Sequence, residues 1–149
     1  MRNPILNFFV ICGLVVFGGL YFYSGSIEDH YKVNAERYLN ASLESISSWQ
    51  TADLKAQLSH ATLAQVSDAQ LAKLCDEYRH LGRFKSMDEP LFSRLSGAMS
   101  IIADAPKLSY SSNVRFENGS AVMTVTLTLE DDRFKMYNFN LGSPEQTAQ

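Results

Sequence analysis

The chain is poor in the residues that most often reveal a chemical function. Among its 149 residues there are two cysteines, three histidines and one tryptophan. Cys12 falls in an apolar N-terminal run and Cys75 in a distant helical pattern, so we predict no disulfide bond between them. No two histidines have the spacing of a helical metal site, which predicts that the protein binds no metal.

A strong excess of charge is missing as well. The formal net charge is −3, and 19% of the residues are charged, as in an ordinary globular protein. A mildly acidic surface argues against binding to nucleic acid and against electrostatic docking on anionic lipid. We therefore expect no nucleic-acid partner.

Catalytic motifs are absent too, since neither G-x-S-x-G nor S-x-x-K occurs. The neighbouring acids Asp76-Glu77 and Asp131-Asp132 are typical of a solvated helix face and a turn, where paired carboxylates are not desolvated together. Cys75 falls on the apolar face of its helical pattern, where burial raises a thiol pKa and makes it unreactive. The sequence therefore predicts no catalytic residue, no cofactor and no enzymatic activity.

What the chain does have is a long apolar run near its N-terminus. Pro4 to Tyr23 reads PILNFFVICGLVVFGGLYFY, and Asn7 is its only strongly polar side chain. Twenty helical residues span roughly 30 Å, the hydrocarbon thickness of a bilayer. Arg2 precedes the run and Glu28 follows it, so the positive-inside rule places the N-terminus in the cytoplasm. The run predicts a transmembrane helix at residues 4–23.

This interpretation makes residues 1–25 a membrane anchor, or an uncleaved signal, and puts the rest of the chain outside the membrane. A cleaved signal peptide is the alternative, because Ser24 and Ser26 are small residues at suitable spacing, although the run is long for such a signal. Three residues are candidate contacts between this helix and other membrane helices: Asn7, Gly13 and Gly18.

Helical periodicity dominates the following segment. Apolar residues recur every three or four positions from Tyr31 to Trp49, after Ser26 as a candidate N-cap. A short second helix is expected after Thr51. A third begins at Ser67, which forms a capping box with Gln70.

Beyond Gly82, the expected stop of the third helix, the pattern changes to strands. A short strand is predicted at 83–87, whereas the stretch from Leu91 to Pro106 fits either helix or strand. Strict alternation predicts three longer antiparallel strands, at 110–116, 121–129 and 134–141. Asn118-Gly119 predicts a tight hairpin turn with positive φ at both residues. The order predicts an α+β domain at residues 26–142, with about three helices on an antiparallel sheet, and a polar tail at 143–149.

Several short segments carry a resemblance to a known group of proteins: Ser47-Ser48-Trp49, the stretch from Leu81 to Ser86, the hairpin from Val114 to Gly119, and the closing strand through Phe139. The chain resembles the nuclear-transport-factor-two-like (cystatin-like cone) superfamily, and within it small bacterial membrane-anchored or secreted members. The resemblance implies a strongly curved sheet whose concave side holds the helices. It also implies a bacterial inner-membrane protein with a periplasmic or extracellular domain.

Function remains divided among three hypotheses. The first is a membrane-anchored accessory or assembly protein that binds a larger membrane protein or envelope complex through a non-catalytic domain. The second is a ligand-binding module with an apolar pocket, and its candidate lining is Tyr110, Met123, Met136, Tyr137 and Phe139. The third is a lyase or isomerase of the superfamily, but the Asp or His–Asp pair of its enzymes matches no position here.

Overall fold

A computed structural model describes residues 4–93 and 106–143 of the chain. Residues 1–3 of the predicted anchor, residues 94–105 of the stretch between Leu91 and Pro106, and residues 144–149 of the polar tail lie outside the described part. Within the described part the architecture is α+β, with helices packed on a five-stranded antiparallel sheet.

The first helix, α1, runs from Pro4 to Ile46 without a break. The prediction that a helix starts at Ser26 is therefore wrong. No proline separates the apolar run from the amphipathic stretch that follows it, so one helix continues through both. The boundary that we placed between residues 25 and 26 is a change of side chains within α1 and leaves the backbone helical.

The membrane prediction is also wrong. In residues 4–93 and 106–143, no helix is both long enough and apolar enough to cross a membrane. This finding overturns the transmembrane helix at 4–23, the anchor or signal-anchor role of residues 1–25, and the single-pass inner-membrane location. The apolar run does not form a helix of its own, because α1 continues through charged residues such as Glu28 and Lys32. The contacts proposed for Asn7, Gly13 and Gly18 depended on a transmembrane helix, so this finding removes their basis.

Three shorter α-helices follow α1 in the described residues: α2 (Thr51–Gln57), α3 (His60–Leu63) and α4 (Asp68–Tyr78), and a 3-10 turn (Arg79–Leu81) continues from α4. The predicted capping box at the start of α4 is confirmed, since Ser67 and Gln70 each bond the other's backbone N–H. Thr51 is not the cap of α2, because Gln50 holds that position without a side-chain bond. We did not predict α3, which is a single turn capped by Ser59.

The sheet contains β1 (Phe84–Met87), β2 (Leu91–Phe92), β3 (Lys107–Phe116), β4 (Gly119–Glu130) and β5 (Arg133–Gly142). Its strands lie in the order β1-β3-β4-β5, and β2 pairs with β3 further along the same edge. A bulge between Thr126 and Leu127 shifts the register of β4 and β5. Because of this shift, Met136 and Phe139 both pack on the helical side although they are three residues apart.

The second hairpin turn lies at Asp131-Asp132 as predicted, whereas the first differs from the prediction. Neither Asn118 nor Gly119 has positive φ, so that prediction is wrong, whereas Asp131 and Asp132 have φ of 51° and 62°. Phe116 pairs with Gly119, which makes Glu117 and Asn118 the two loop residues of the first hairpin. Tertiary contacts decide this geometry, because Glu117 N–H donates to Arg83 O and Asn118 N–H donates to Leu81 O, each at 2.9 Å.

Gly82 makes this contact possible. Its φ is +79°, and a Cβ there would lie 3.0 Å from Asn118 Nδ2 and 3.1 Å from Glu117 Cβ. Only glycine adopts this backbone conformation at low cost. Gly82, where we expected the third helix to end, thus also allows the loop of the first hairpin to pack closely against it.

The hydrophobic core lies between α1 and the sheet. The side chains that are at most 1% exposed come from both layers: Ala35, Leu39, Leu43 and Ile46 from α1, and Leu108, Val114, Met123, Val125, Leu127 and Met136 from the strands. Trp49, between α1 and α2, is 4% exposed and donates its indole N–H to Gly82 O at 2.8 Å. The core therefore closes around the second half of α1 and leaves its first half outside.

Candidate functional site

The first half of α1 presents an unusual surface. From Ile5 to Phe17, large apolar side chains are mostly exposed to solvent: Ile5 66%, Leu6 62%, Phe8 65%, Phe9 68%, Val10 54%, Ile11 60%, Leu14 68%, Val15 69%, Val16 62% and Phe17 72%. Nothing lies within 4 Å of a Cβ built at Gly13, Gly18 or Gly19. We call the segment Pro4–Tyr23 the apolar arm. A monomeric protein rarely exposes so large an apolar patch unless it binds something there.

The arm is continuous with the domain, because the same helix enters the core a few residues later. Lys32 Nζ lies 2.7 Å from Glu89 Oε1, which ties α1 to the turn between β1 and β2. The Tyr31 and Tyr38 rings lie 6.0 Å and 5.6 Å from the ring of Phe134 on β5. The position of the arm relative to the sheet therefore follows from the packing of the second half of α1.

A polar cluster holds α1 against α2. Tyr38 Oη donates to Gln57 Oε1 at 3.0 Å, and Ser42 Oγ donates to the same oxygen at 3.2 Å. Burial raises the pKa of Tyr38, so its hydroxyl stays neutral and acts as a donor. These bonds satisfy polar atoms that packing removes from water, and they give the cluster a structural role.

In the described residues, the interior is filled at most of the positions proposed to line a pocket. Of the five residues proposed to line a pocket, Tyr110, Met123 and Met136 are 4%, 0% and 0% exposed. Phe139 lines a crevice with Trp49, Leu54 and Cys75, among others, and the crevice leaves no room for a water molecule. The structure thus brings four of the five residues into or against the packed core.

Tyr137, the fifth of these residues, lies elsewhere. The bulge opposite Thr126 and Leu127 leaves Tyr137 unpaired in the β4–β5 register, and its side chain is 37% exposed. Lys107 Nζ lies 4.3 Å from the centre of its ring, a cation–π contact at the surface. Tyr137 therefore does not share a site with the other four residues.

Tyr110 has an unusual hydroxyl. Its oxygen is buried and has no hydrogen-bond partner among the residues that the structure describes. Burial, with smaller contributions from Glu28 and Tyr31, raises its pKa to about 12. The ring packs on Phe92, with 5.3 Å between the ring centres. This hydroxyl stays protonated at any physiological pH, so it does not act as a base.

The titratable side chains are dispersed. In the part of the chain that the structure describes, no group of three or more His, Cys, Asp and Glu side chains could hold a metal ion. His60 Nδ1 lies 2.7 Å from Glu130 Oε2, and His80 Nδ1 lies 2.8 Å from the carbonyl oxygen of Glu77. The second contact lies just beyond α4, where a side-chain nitrogen can satisfy a free carbonyl oxygen at a helix C-terminus.

Glu130 is held by two nitrogen atoms of His60, which lies on a distant element. The backbone N–H of His60 donates to its Oε1 at 2.8 Å, and the imidazole contacts Oε2. Burial opposes ionisation of this group, but the hydrogen bonds from His60 outweigh it and lower the pKa of Glu130. The pair fastens α3 to the end of β4. Sequence reasoning missed it because the partners are 70 residues apart.

The two cysteines are free, and they occupy opposite environments. Cys12 is exposed on the arm, and Cys75 is buried in the core. Burial raises the pKa of the Cys75 thiol, with Arg79 acting weakly in the opposite direction. The predictions that Cys75 faces the core and forms no disulfide with Cys12 are confirmed.

Open clefts on the surface offer little chemistry. One of about 270 Å³ lies at the end of α4 and includes Glu77, His80 and Ser120. Another of about 550 Å³ lies at the sheet edge and includes Asp88, Glu89 and Leu91. Both are open to solvent, so their polar groups stay hydrated and gain none of the strength that desolvation gives. The arm is therefore the strongest candidate for a functional surface.

Comparison with known proteins gives no further guide, since no protein-family model, no curated protein and no solved structure matches the chain.

Proposed function

We propose that this chain is a non-catalytic accessory protein that binds a larger partner protein through the apolar arm. The observation that carries the proposal is the contrast between a filled domain and an apolar helical segment left outside it. At roughly 25 cal/mol per Å² of apolar surface, burial of the exposed side chains of the arm would contribute a large favourable binding free energy. A partner that covers them gains that free energy.

The interior argues for this reading over the ligand-binding hypothesis. A binding site for a small apolar molecule needs an enclosed cavity of about 300 Å³ or more. Met123 and Met136 are fully buried, and the crevice beside Phe139 leaves no room for water. At these positions a ligand would have to displace side chains that form the core.

The dispersed polar groups support the same choice over an enzyme. A general acid or base usually needs a desolvated side chain close to the reacting atoms. His60 is 89% exposed at its side chain and is held by Glu130 at the surface. Membership of the nuclear-transport-factor-two-like superfamily stays a prediction, and scaffolds among its members would suit the proposed role.

The test is a crosslinking pull-down from cells that make the protein. It compares the tagged intact chain with a variant that lacks residues 4–23. Lys73→Ala, on the exposed side of α4, is the matched control. We expect the intact chain and the control to recover the same larger protein, and the deletion to lose it. Equal recovery by the deletion variant would refute the role of the arm.

A further inference from the structure

The first hairpin carries a chemically labile pair of residues. Asn118 is followed directly by Gly119, and both are exposed to solvent. Because glycine has no Cβ, its backbone nitrogen can approach the side-chain amide of the preceding asparagine with little steric hindrance. The asparagines within the strands, Asn113, Asn138 and Asn140, each precede a bulky apolar residue. The hairpin asparagine is therefore the one in the sheet whose neighbour hinders attack on its side chain least.

We infer that Asn118 is a site of spontaneous deamidation, and that the packing of the hairpin against Gly82 restrains the reaction. The Gly119 nitrogen loses its proton and bonds to Cγ of Asn118, and the Cγ–Nδ2 bond breaks to release ammonia. Water then opens the five-membered imide at either carbonyl carbon, which leaves aspartate or isoaspartate. The net change is the loss of one ammonia and the gain of one water, so water is the only co-reactant.

The folded hairpin holds both reacting groups in place. Asn118 Nδ2 donates to His80 O at 3.2 Å, and the backbone N–H of Asn118 donates to Leu81 O at 2.9 Å. Gly119 begins β4 and is paired with Phe116, so its nitrogen lies in the sheet ladder. The amide carbon and this nitrogen must rotate toward each other before they can bond. The contacts of the loop must therefore open first, and the folded chain reacts only in its opened fraction.

The product would not pack as the asparagine does. The amide nitrogen of Asn118 is a donor to His80 O, whereas an aspartate oxygen is only an acceptor and would face that carbonyl. A Cβ built at Gly82 lies 3.0 Å from Asn118 Nδ2 and 3.2 Å from Glu117 Oε2, so the new charge would also lie near a carboxylate. Isoaspartate would add a carbon atom to the main chain of the loop. Deamidation would therefore release the hairpin irreversibly.

Peptide mapping of the full chain by mass spectrometry, during storage at mildly alkaline pH, measures the reaction. Asn138 is the matched control, because it is exposed and followed by Phe139. In guanidinium chloride we expect Asn118 to convert faster than Asn138, and Gly119→Ala to slow the conversion. In the folded chain Asn118 should convert at least about tenfold more slowly than in denaturant. Equal rates for Asn118 in the folded and unfolded chain would overturn the inference, as would equal rates at Asn118 and Asn138 in denaturant.

Two destabilised variants separate the packing of the hairpin from the stability of the whole domain. Gly82→Ala disturbs the contact with the hairpin, whereas Leu39→Ala weakens the core at α1. Both are stored under conditions in which the fluorescence of Trp49 shows them to be folded. We expect Gly82→Ala to speed the conversion of Asn118 several-fold and Leu39→Ala to leave it near the rate of the unaltered chain. Equal acceleration by both would show that only global unfolding exposes the site, and would overturn the role of the hairpin.

The effect of the product is tested without waiting for the reaction. Asn118→Asp introduces the same charge as deamidation, and Asn138→Asp places that charge on an exposed position of β5 as the control. We expect Asn118→Asp to lower the melting temperature and Asn138→Asp to leave it unchanged. Equal melting temperatures for the two variants would overturn the release of the hairpin.

Discussion

The two halves of α1 share one helical backbone but have opposite surroundings. In the second half, Ala35, Leu39 and Leu43 recur every four residues and are at most 1% exposed, whereas Arg37 and Ala41 face solvent. In the first half, apolar residues lie on every side, and none of those from Ile5 to Leu20 is buried. An apolar stripe is enough to bury one side of a helix in a domain. The domain does not cover the apolar residues that lie on every side of the first half. The second half of α1 therefore belongs to the core, and we assign the first half to binding.

Replacing a leucine by alanine should give the largest difference in stability between the two halves of α1. Leu39→Ala removes a side chain that is fully buried, and we expect it to lower the free energy of unfolding by about 2–5 kcal/mol. Leu14→Ala, in the arm, should change it by less than about 0.5 kcal/mol, because Leu14 is 68% exposed. Urea unfolding followed by the fluorescence of Trp49 measures both. Similar losses for the two variants would show that the arm is part of the folded core.

Glycine substitutions give the next largest difference. Gly82→Ala forces a side chain into a backbone with φ of +79° and against the first hairpin, so we expect a loss of about 1–3 kcal/mol. Gly18→Ala should not destabilise the chain, since a Cβ there meets nothing within 4 Å. Thermal unfolding by circular dichroism compares the two variants. An unchanged melting temperature for Gly82→Ala would contradict the close packing of the first hairpin against Gly82.

The two native cysteines offer a comparison within a single molecule. Cys12 is exposed on the arm and should react quickly with a polar disulfide reagent. Cys75 is buried and should react only when the core opens. Each 1.4 kcal/mol of opening free energy slows the labelling of Cys75 about tenfold. Mass spectrometry counts the labels over time, with Cys12→Ser as the control. Simultaneous labelling of both thiols would place Cys75 at the surface.

The smallest effect concerns acid stability, which should depend on the domain alone. The pKa of Glu130 is lowered by His60, so the stability it contributes is present above its unfolded pKa of about 4.5 and is lost as pH falls through the lower folded value. Glu130→Gln should cost no more than about 1 kcal/mol at pH 7 and less in acid. Urea midpoints between pH 7 and pH 3 test this. An equal loss at both ends of that range would mean that the carboxylate charge contributes nothing.

Local patterns predicted most of the domain well. Alternation placed β3, β4 and β5 to within three residues at each end, and the Ser67–Gln70 box marked the start of α4, because these signals depend on neighbours in the chain. The turn at Asn118 was mispredicted because backbone bonds to Leu81 and Arg83 override its local preference. Contacts between distant residues, such as His60 with Glu130, leave no local pattern to find.

The candidate surface could be identified from the sequence, but what covers it could not. The run from Pro4 to Tyr23 stood out by composition, and its apolar residues on every side predicted a helix that needs cover. The transmembrane helix that we predicted from it is contradicted, since among residues 4–93 and 106–143 no helix is long and apolar enough to cross a membrane. Composition specifies that a surface must be covered, and it does not name what covers it.

Amide hydrogen exchange along α1 of the purified chain tests the central claim, that one helix has a core half and a binding half. The account predicts a step between Tyr23 and Tyr31. Amides of the second half should exchange only as the domain unfolds, whereas those of the arm should exchange orders of magnitude faster, since a helix without tertiary contacts frays readily. Uniform protection from Pro4 to Ile46 in the purified chain would contradict the account, because the arm would then be stabilised as part of the fold.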